Sequence, residues 1–217
     1  MLEPSGRGAP SEGALSSRLA EQGCAACAPD LRGLGDATPE FGRGAARHGR
    51  EHNNEEHYSW SALILGKPLL GQRVTDLLAV IRGLRARPDL TGRRLVIAAR
   101  GTATVPAQCA AALDQSVDVL YLAGGLSSFR SIAETENYAY PFGNFIPHLL
   151  EDTDLPDLAR SMAPTRLVLA GAVDAAGRKR TPEEVRQEYG NSLNVQVLPN
   201  PQWSPESILA GLDLKQA

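Results

Sequence analysis

The stretch Arg94-Leu95-Val96-Ile97-Ala98-Ala99-Arg100-Gly101-Thr102-Ala103-Thr104 decides how the rest of the chain is read. Arg94–Ala99 is a short apolar run, a glycine stops it, and the small-residue stretch Val105–Leu113 follows. A run of that length bounded by a turn signal reads as a buried strand, and the segment beyond it as a helix. The alternation continues in both directions. Upstream, Leu70, Val74, Leu77, Ile81 and Leu84 recur at helical spacing and predict an amphipathic helix over 70–87. Downstream, Val117–Ala123, Arg166–Ala170 and Asn194–Leu198 read as strands. Thr181-Pro182-Glu183-Glu184 opens a helix with a cap, a first-turn proline and a capping-box glutamate, and Ser204-Pro205-Glu206 caps a last helix to about Gly211. Residues 13–22 read as a short helix, Cys24–Pro29 as a further strand, and 35–57 as a polar loop. Residues 127–163 form an insertion with helical pieces near 127–136 and 154–162.

Apolar strands separated by helices imply right-handed crossovers, so the expected fold class is α/β, with a mostly parallel sheet flanked by helices on both faces. The 217 residues suit a single domain over 1–217 with a substantial core. Ligands of such sheets bind at the carboxyl ends of the strands. Asp30–Gly33, Arg100–Thr104, Gly124–Ser128, Gly171–Asp174 and Pro199–Trp203 are therefore the segments to watch.

A net charge of −3 supplies no broad basic field, and 5% aromatic content offers little for base stacking, so nucleic acid is not an expected partner. No apolar run approaches the roughly 20 residues of a membrane span. Met1–Pro10 lacks the pattern of a secretory leader, and a cytoplasmic location is expected. Cys24 and Cys27 form a C-x-x-C, but inside a strand they point to opposite faces, and redox or metal chemistry is not expected of them. His48, His52 and His57 alternate with glutamates, yet Gly49, Asn53 and Asn54 weaken any helix that would align the imidazoles. No metal or other cofactor is expected.

Asp30-Leu31-Arg32-Gly33-Leu34-Gly35, and Tyr58-Ser59-Trp60-Ser61-Ala62-Leu63 through Leu65-Gly66-Lys67-Pro68-Leu69-Leu70-Gly71-Gln72-Arg73, together with the later order of elements, resemble α/β-hydrolases of the acetyl-xylan-esterase and dienelactone-hydrolase type. The resemblance spans about residues 20–213 and begins near that family's fourth strand. It implies a truncated α/β-hydrolase-like sheet in which the fourth strand and the nucleophile strand either pair directly or leave a gap where a third strand would lie. It also implies a nucleophile on a G-x-S-x-G turn, which falls on Ala99-Arg100-Gly101-Thr102-Ala103. Gly101, without a side chain, stands at the apex, and Thr102 is the adjacent hydroxyl. Asp174, after Leu167–Val173, matches the family's acid. The histidine position after the last strand reads Pro199-Asn200-Pro201-Gln202-Trp203, and no histidine follows His148. Without a base, serine-type acyl transfer has no proton acceptor.

A rebuilt set of Ser127, His148 and Asp174 is one alternative, although Ser127 also suits a helix cap. Tyr138-Ala139-Tyr140-Pro141-Phe142-Gly143-Asn144-Phe145 suits either a roof over a ligand or packing of the insertion onto the body. The resemblance implies carboxylic-ester hydrolysis on a small ester or acylated carbohydrate if the domain is active. The alternative is a catalytically inactive binding or structural domain. A homo-oligomer fits either expectation.

Overall fold

A computed structural model describes residues 1–8, 10–38, 54–190 and 192–213. Strands β1 (Val96–Arg100), β2 (Val119–Ala123), β3 (Arg166–Ala170) and β4 (Val195–Leu198) form one sheet in the order β1-β2-β3-β4, every neighbouring pair parallel. Helices α1 (Pro10–Glu21), α2 (Asn54–Ile64) and α3 (Leu69–Arg85) precede it. Helix α4 (Thr104–Leu113) connects β1 to β2. The insertion carries α5 (Arg130–Ala133), α6 (Leu149–Asp152) and α7 (Leu155–Ser161), while α8 (Pro182–Tyr189) connects β3 to β4 and α9 (Pro205–Asp213) follows. Among the described residues no helix is long and apolar enough to cross a membrane.

The α/β class is as expected, with helices on both faces. One core joins α3, α4, α7 and α8 to Ile97, Leu120, Leu122, Leu167 and Leu169. A smaller one joins α1 and α9 to Ala98, Tyr121, Ala123, Val168 and Ala170. Strand β2 is buried along its whole length because both of its faces are covered. Packing, not helix propensity, holds α3 in place. Gly71 and Gly83 each cost about 1 kcal/mol inside a helix. Leu70, Leu77 and Ile81 each return about 2 kcal/mol on burial. Ala107, Ala110 and Ala111, all fully buried, let α4 lie close against the sheet.

The structure corrects the expectation of a fifth strand. Cys24–Pro29 makes no strand; its Ala25, Ala26 and Cys27 are exposed, too small to bury enough area to hold the segment in the sheet. The outer edge of β1 meets the chain's first residues instead. Leu2 N–H donates to Ala98 O at 2.8 Å, and Arg100 N–H donates to Leu2 O at 3.1 Å, a single parallel bridge. The Met1 ammonium donates to Cys27 O at 2.7 Å.

The predicted polar loop over 35–57 is interrupted by α2, whose Glu55 and Glu56 favour the positive N-terminal end of the helix. In the insertion, Phe142 stacks on Trp60 of α2 with centroids 4.5 Å apart and meets Phe145 edge-on at 5.7 Å. Part of the aromatic cluster therefore packs the insertion onto the body.

Candidate functional site

Strand β1 hands over to α4 through a tight turn at Gly101, whose φ of +56° is a left-handed conformation that favours glycine. Thr104 Oγ1 donates to Gly101 O at 2.7 Å, and Asn144 Nδ2 donates to Thr102 O at 2.7 Å, which ties the turn to the insertion. Asn144 is fully buried and receives a further contact, at 3.5 Å, from Arg73. The Arg73 guanidinium is itself buried, holding Glu55 at 2.7 Å and Arg32 O at 3.1 Å. A Cβ placed on Gly101 would meet Pro4 Cγ at 3.2 Å. The N-terminal segment thus lies over the apex of the turn.

The chain after β4 folds back across the carboxyl end of the sheet. Gly171, at φ +62°, presses against Pro201 so closely that no side chain fits between them. Tyr121 donates its hydroxyl to Gln202 O at 2.8 Å. Trp203 then reaches β1, where its indole Nε1 donates to Glu3 Oε1 at 2.9 Å. Arg100 pairs with the same carboxylate and lies 5.7 Å from the Trp203 ring centroid. The Glu3 side chain is 0% exposed. A buried carboxylate held by an indole N–H and a guanidinium is a satisfied group, and its lone pairs are directed inward.

The residues expected to carry chemistry lie apart, and no hydrogen bond joins any two of Thr102, Ser127, His148 and Asp174. Asp174 stands at the carboxyl end of β3, where it closes its own turn. Its carboxylate accepts the N–H groups of Ala176 and Arg178, each at 2.9 Å, and Arg178 Nε at 2.8 Å. Desolvation opposes its ionisation, but the bonds from Arg178 and Ala176 prevail and lower its pKa below the ordinary aspartate value. Ser127 is fully buried and its hydroxyl has no hydrogen-bond partner among the described residues. His148 is an exposed left-handed residue whose Nδ1 sits 2.6 Å from Glu151. Thr102 is half-buried in the turn.

Ser127 does not cap α5, whose N-cap position is Phe129; the neighbouring Ser128 closes the turn before that helix. Ser128 Oγ accepts from Arg130 N–H at 3.0 Å and donates to Asp154, whose other oxygen accepts Phe129 N–H at 2.7 Å. Asp154 also caps α7 in a reciprocal capping box with Asp157. A polar cavity of about 380 Å³ opens here, lined by Ser128, Asp154, Asp174, Arg130, Arg178 and Arg180 among others. Glu3 and Asp154 carry no motif in the sequence, whereas Arg100, Ser128 and Trp203 fall in segments expected at the carboxyl ends of strands.

Cys24, Cys27 and Cys109 are free thiols, and burial pushes the Cys109 thiol up to about 12, which makes it a poor nucleophile. His48 and His52 lie outside the described residues. Among the described residues no three His, Cys, Asp or Glu side chains gather where a metal ion would be held.

Parallel strands flanked by helices, with a strand–turn–helix step at Gly101, make this an α/β fold. Among solved structures, the chain is similar to a crystal structure of a Bacteroides fragilis protein described as a candidate acetyl xylan esterase, with a TM-score of 0.59 and 19% identity. The match covers 78% of this chain and 45% of that one, so the chain spans about half the length of its structural neighbour. No protein-family model and no curated protein matches the chain.

Proposed function

We propose that this domain keeps an esterase-like frame as a binding or structural unit and does not perform serine–histidine–acid acyl transfer. One observation carries the reading: the strand–turn–helix apex, where a nucleophile would stand, is Gly101 beneath Pro4, beside the Glu3–Arg100–Trp203 cluster. Acyl transfer needs a nucleophile and a base within hydrogen-bond reach of one another. Here the nearest charged groups are already paired internally.

A second reading, ester hydrolysis of a small ester or acylated carbohydrate, is favoured by the polar cavity on whose wall Asp174 and Ser128 both stand. The two readings separate in one assay. Purified protein is incubated with p-nitrophenyl acetate and with acetylated xylo-oligosaccharides, alongside Asp174→Asn, Ser128→Ala, Ser127→Ala and Thr102→Ala. The binding reading predicts no turnover above buffer for any of them. Turnover in the parent that falls at least tenfold in Asp174→Asn or Ser128→Ala replaces it with the hydrolytic reading.

A further inference from the structure

The polar cavity of about 380 Å³ at the carboxyl ends of β2 and β3 takes its whole lining from residues 128–188. Four arginines and five carboxylates stand around it, so its character turns on which of them are already engaged. Most of the acids are engaged by the chain itself. Asp154 accepts the N–H groups of Phe129 at 2.7 Å and Leu155 at 2.6 Å, and Ser128 donates its hydroxyl to the other oxygen. Asp157 accepts Asp154 N–H at 2.9 Å and pairs with Arg160. Asp174 accepts two backbone N–H groups and Arg178 Nε, and Glu188 pairs with Arg180 at 2.8 Å.

Backbone amides therefore satisfy acids that would otherwise consume arginine donors. A guanidinium carries five N–H groups. Arg178 commits only its Nε and Arg160 only one terminal nitrogen, while the Arg130 guanidinium has no partner among the described residues. Ser131 Oγ accepts Ala175 N–H at 2.9 Å and donates its own hydrogen to no group among the described residues. The surplus around the cavity is thus in donors, most of them on planar forks that match an oxyanion. Glu134, four residues along from Arg130, is the one lining carboxylate without a partner among the described residues. A bare anion would be repelled there, whereas a hydroxyl on the same molecule would be accepted. Only Pro156 is apolar in the lining, which leaves nothing to hold an acyl chain.

We propose that this cavity binds a small hydroxylated oxyanion, a phosphate monoester or a carboxylate, with Arg130 and Arg178 holding the anionic oxygens and Glu134 accepting a hydroxyl. The proposal rests on the reading of the domain as a binding unit.

The test is calorimetric titration of the full chain with glucose 6-phosphate, gluconate and glucose. At least one of the two anions is expected to bind with a Kd of about 1 mM or tighter. It should bind at least tenfold more tightly than glucose, and the better of the two identifies the anionic group. Arg130→Gln and Arg130→Lys break no bond that holds the fold, and both are expected to weaken binding at least tenfold, the lysine because a point charge lacks the fork. Glu134→Ala is expected to shrink the preference for the hydroxylated anion over inorganic phosphate or acetate at least threefold. Glucose binding as tight as the anions, no binding of any probe at about 10 mM, or an Arg130→Gln protein that binds like the parent overturns the proposal. Hydrolysis of p-nitrophenyl acetate by the same preparation is a separate readout. Turnover overturns the binding-unit reading, whereas absent binding without turnover overturns only the ligand assigned here.

Discussion

Two borders of the same sheet are finished in opposite ways. At the carboxyl end, Pro4, Pro201 and Trp203 lie over the turns, and the charged groups are paired with one another. Along the β1 edge, the outward backbone groups of Val96 and Ala98 have no partner among the described residues and lie between two apolar walls. Carboxyl ends of parallel strands are where ligands usually bind, and edges are where sheets usually recruit other chains. The first opportunity is closed over the Gly101 turn, although a polar cavity stays open beside Ser128 and Asp174, and the second is unfilled among the described residues.

The largest test of the closed border is Gly171→Ala. It places a side chain in a left-handed conformation against Pro201, with an expected loss of about 3 kcal/mol or more in urea unfolding. Glu3→Ala comes next, at roughly 2 kcal/mol, because Arg100 and Trp203 lose their partner. The cost stays below that of a fully buried pair because Arg100 is 37% exposed. Tyr121→Phe, which removes the bond to Gln202 O, is expected to cost about 1 kcal/mol. A loss near zero for all three would mean that the closure is ornamental.

A fourth test is confined to acid. The Asp174 pKa is lower folded than unfolded, so its contribution is complete above the unfolded value of about 3.9 and is lost as pH falls through the folded value. Urea midpoints measured across that window should fall less steeply in Asp174→Asn. The smallest effect belongs to the open border: Val96→Pro should change stability by no more than about 1 kcal/mol, since proline is tolerated where no ladder bond is lost. A loss of several kcal/mol there would show that the edge is already engaged, and the contrast between the borders would disappear.

The sheet was legible in the sequence because β1 to β3 are apolar runs with buried interiors and β4 is mostly apolar around Gln196. Cys24–Pro29 looked similar, but strand formation needs a pairing partner and a buried face. Neither can be read from Cys24-Ala-Ala-Cys27 alone. Leu2, which does pair, is a one-residue strand and leaves no periodicity to detect. Of the site, the bare apex at Gly101 was legible by its place in a strand–turn–helix step, and Asp174 by its place after β3. The Glu3–Arg100–Trp203 cluster was not, because its members are 97 and 200 positions apart and no local pattern links them. The turn bond at Ser128 lies one residue from the expected Ser127, since adjacent serines are equivalent until the backbone selects one.

The Glu3–Trp203 bond also sets a clock on biosynthesis. A ribosome adds about 5–20 residues per second, so Glu3 emerges on the order of 10 s or more before its indole partner exists. Through that interval the nascent chain carries an acidic side chain, bound for the interior, whose indole donor has not yet been made. Arg100 is the earlier of the two partners to emerge. A chain stalled before Trp203 emerges would hold Pro4 near the Gly101 turn without the indole bond that anchors the neighbouring Glu3.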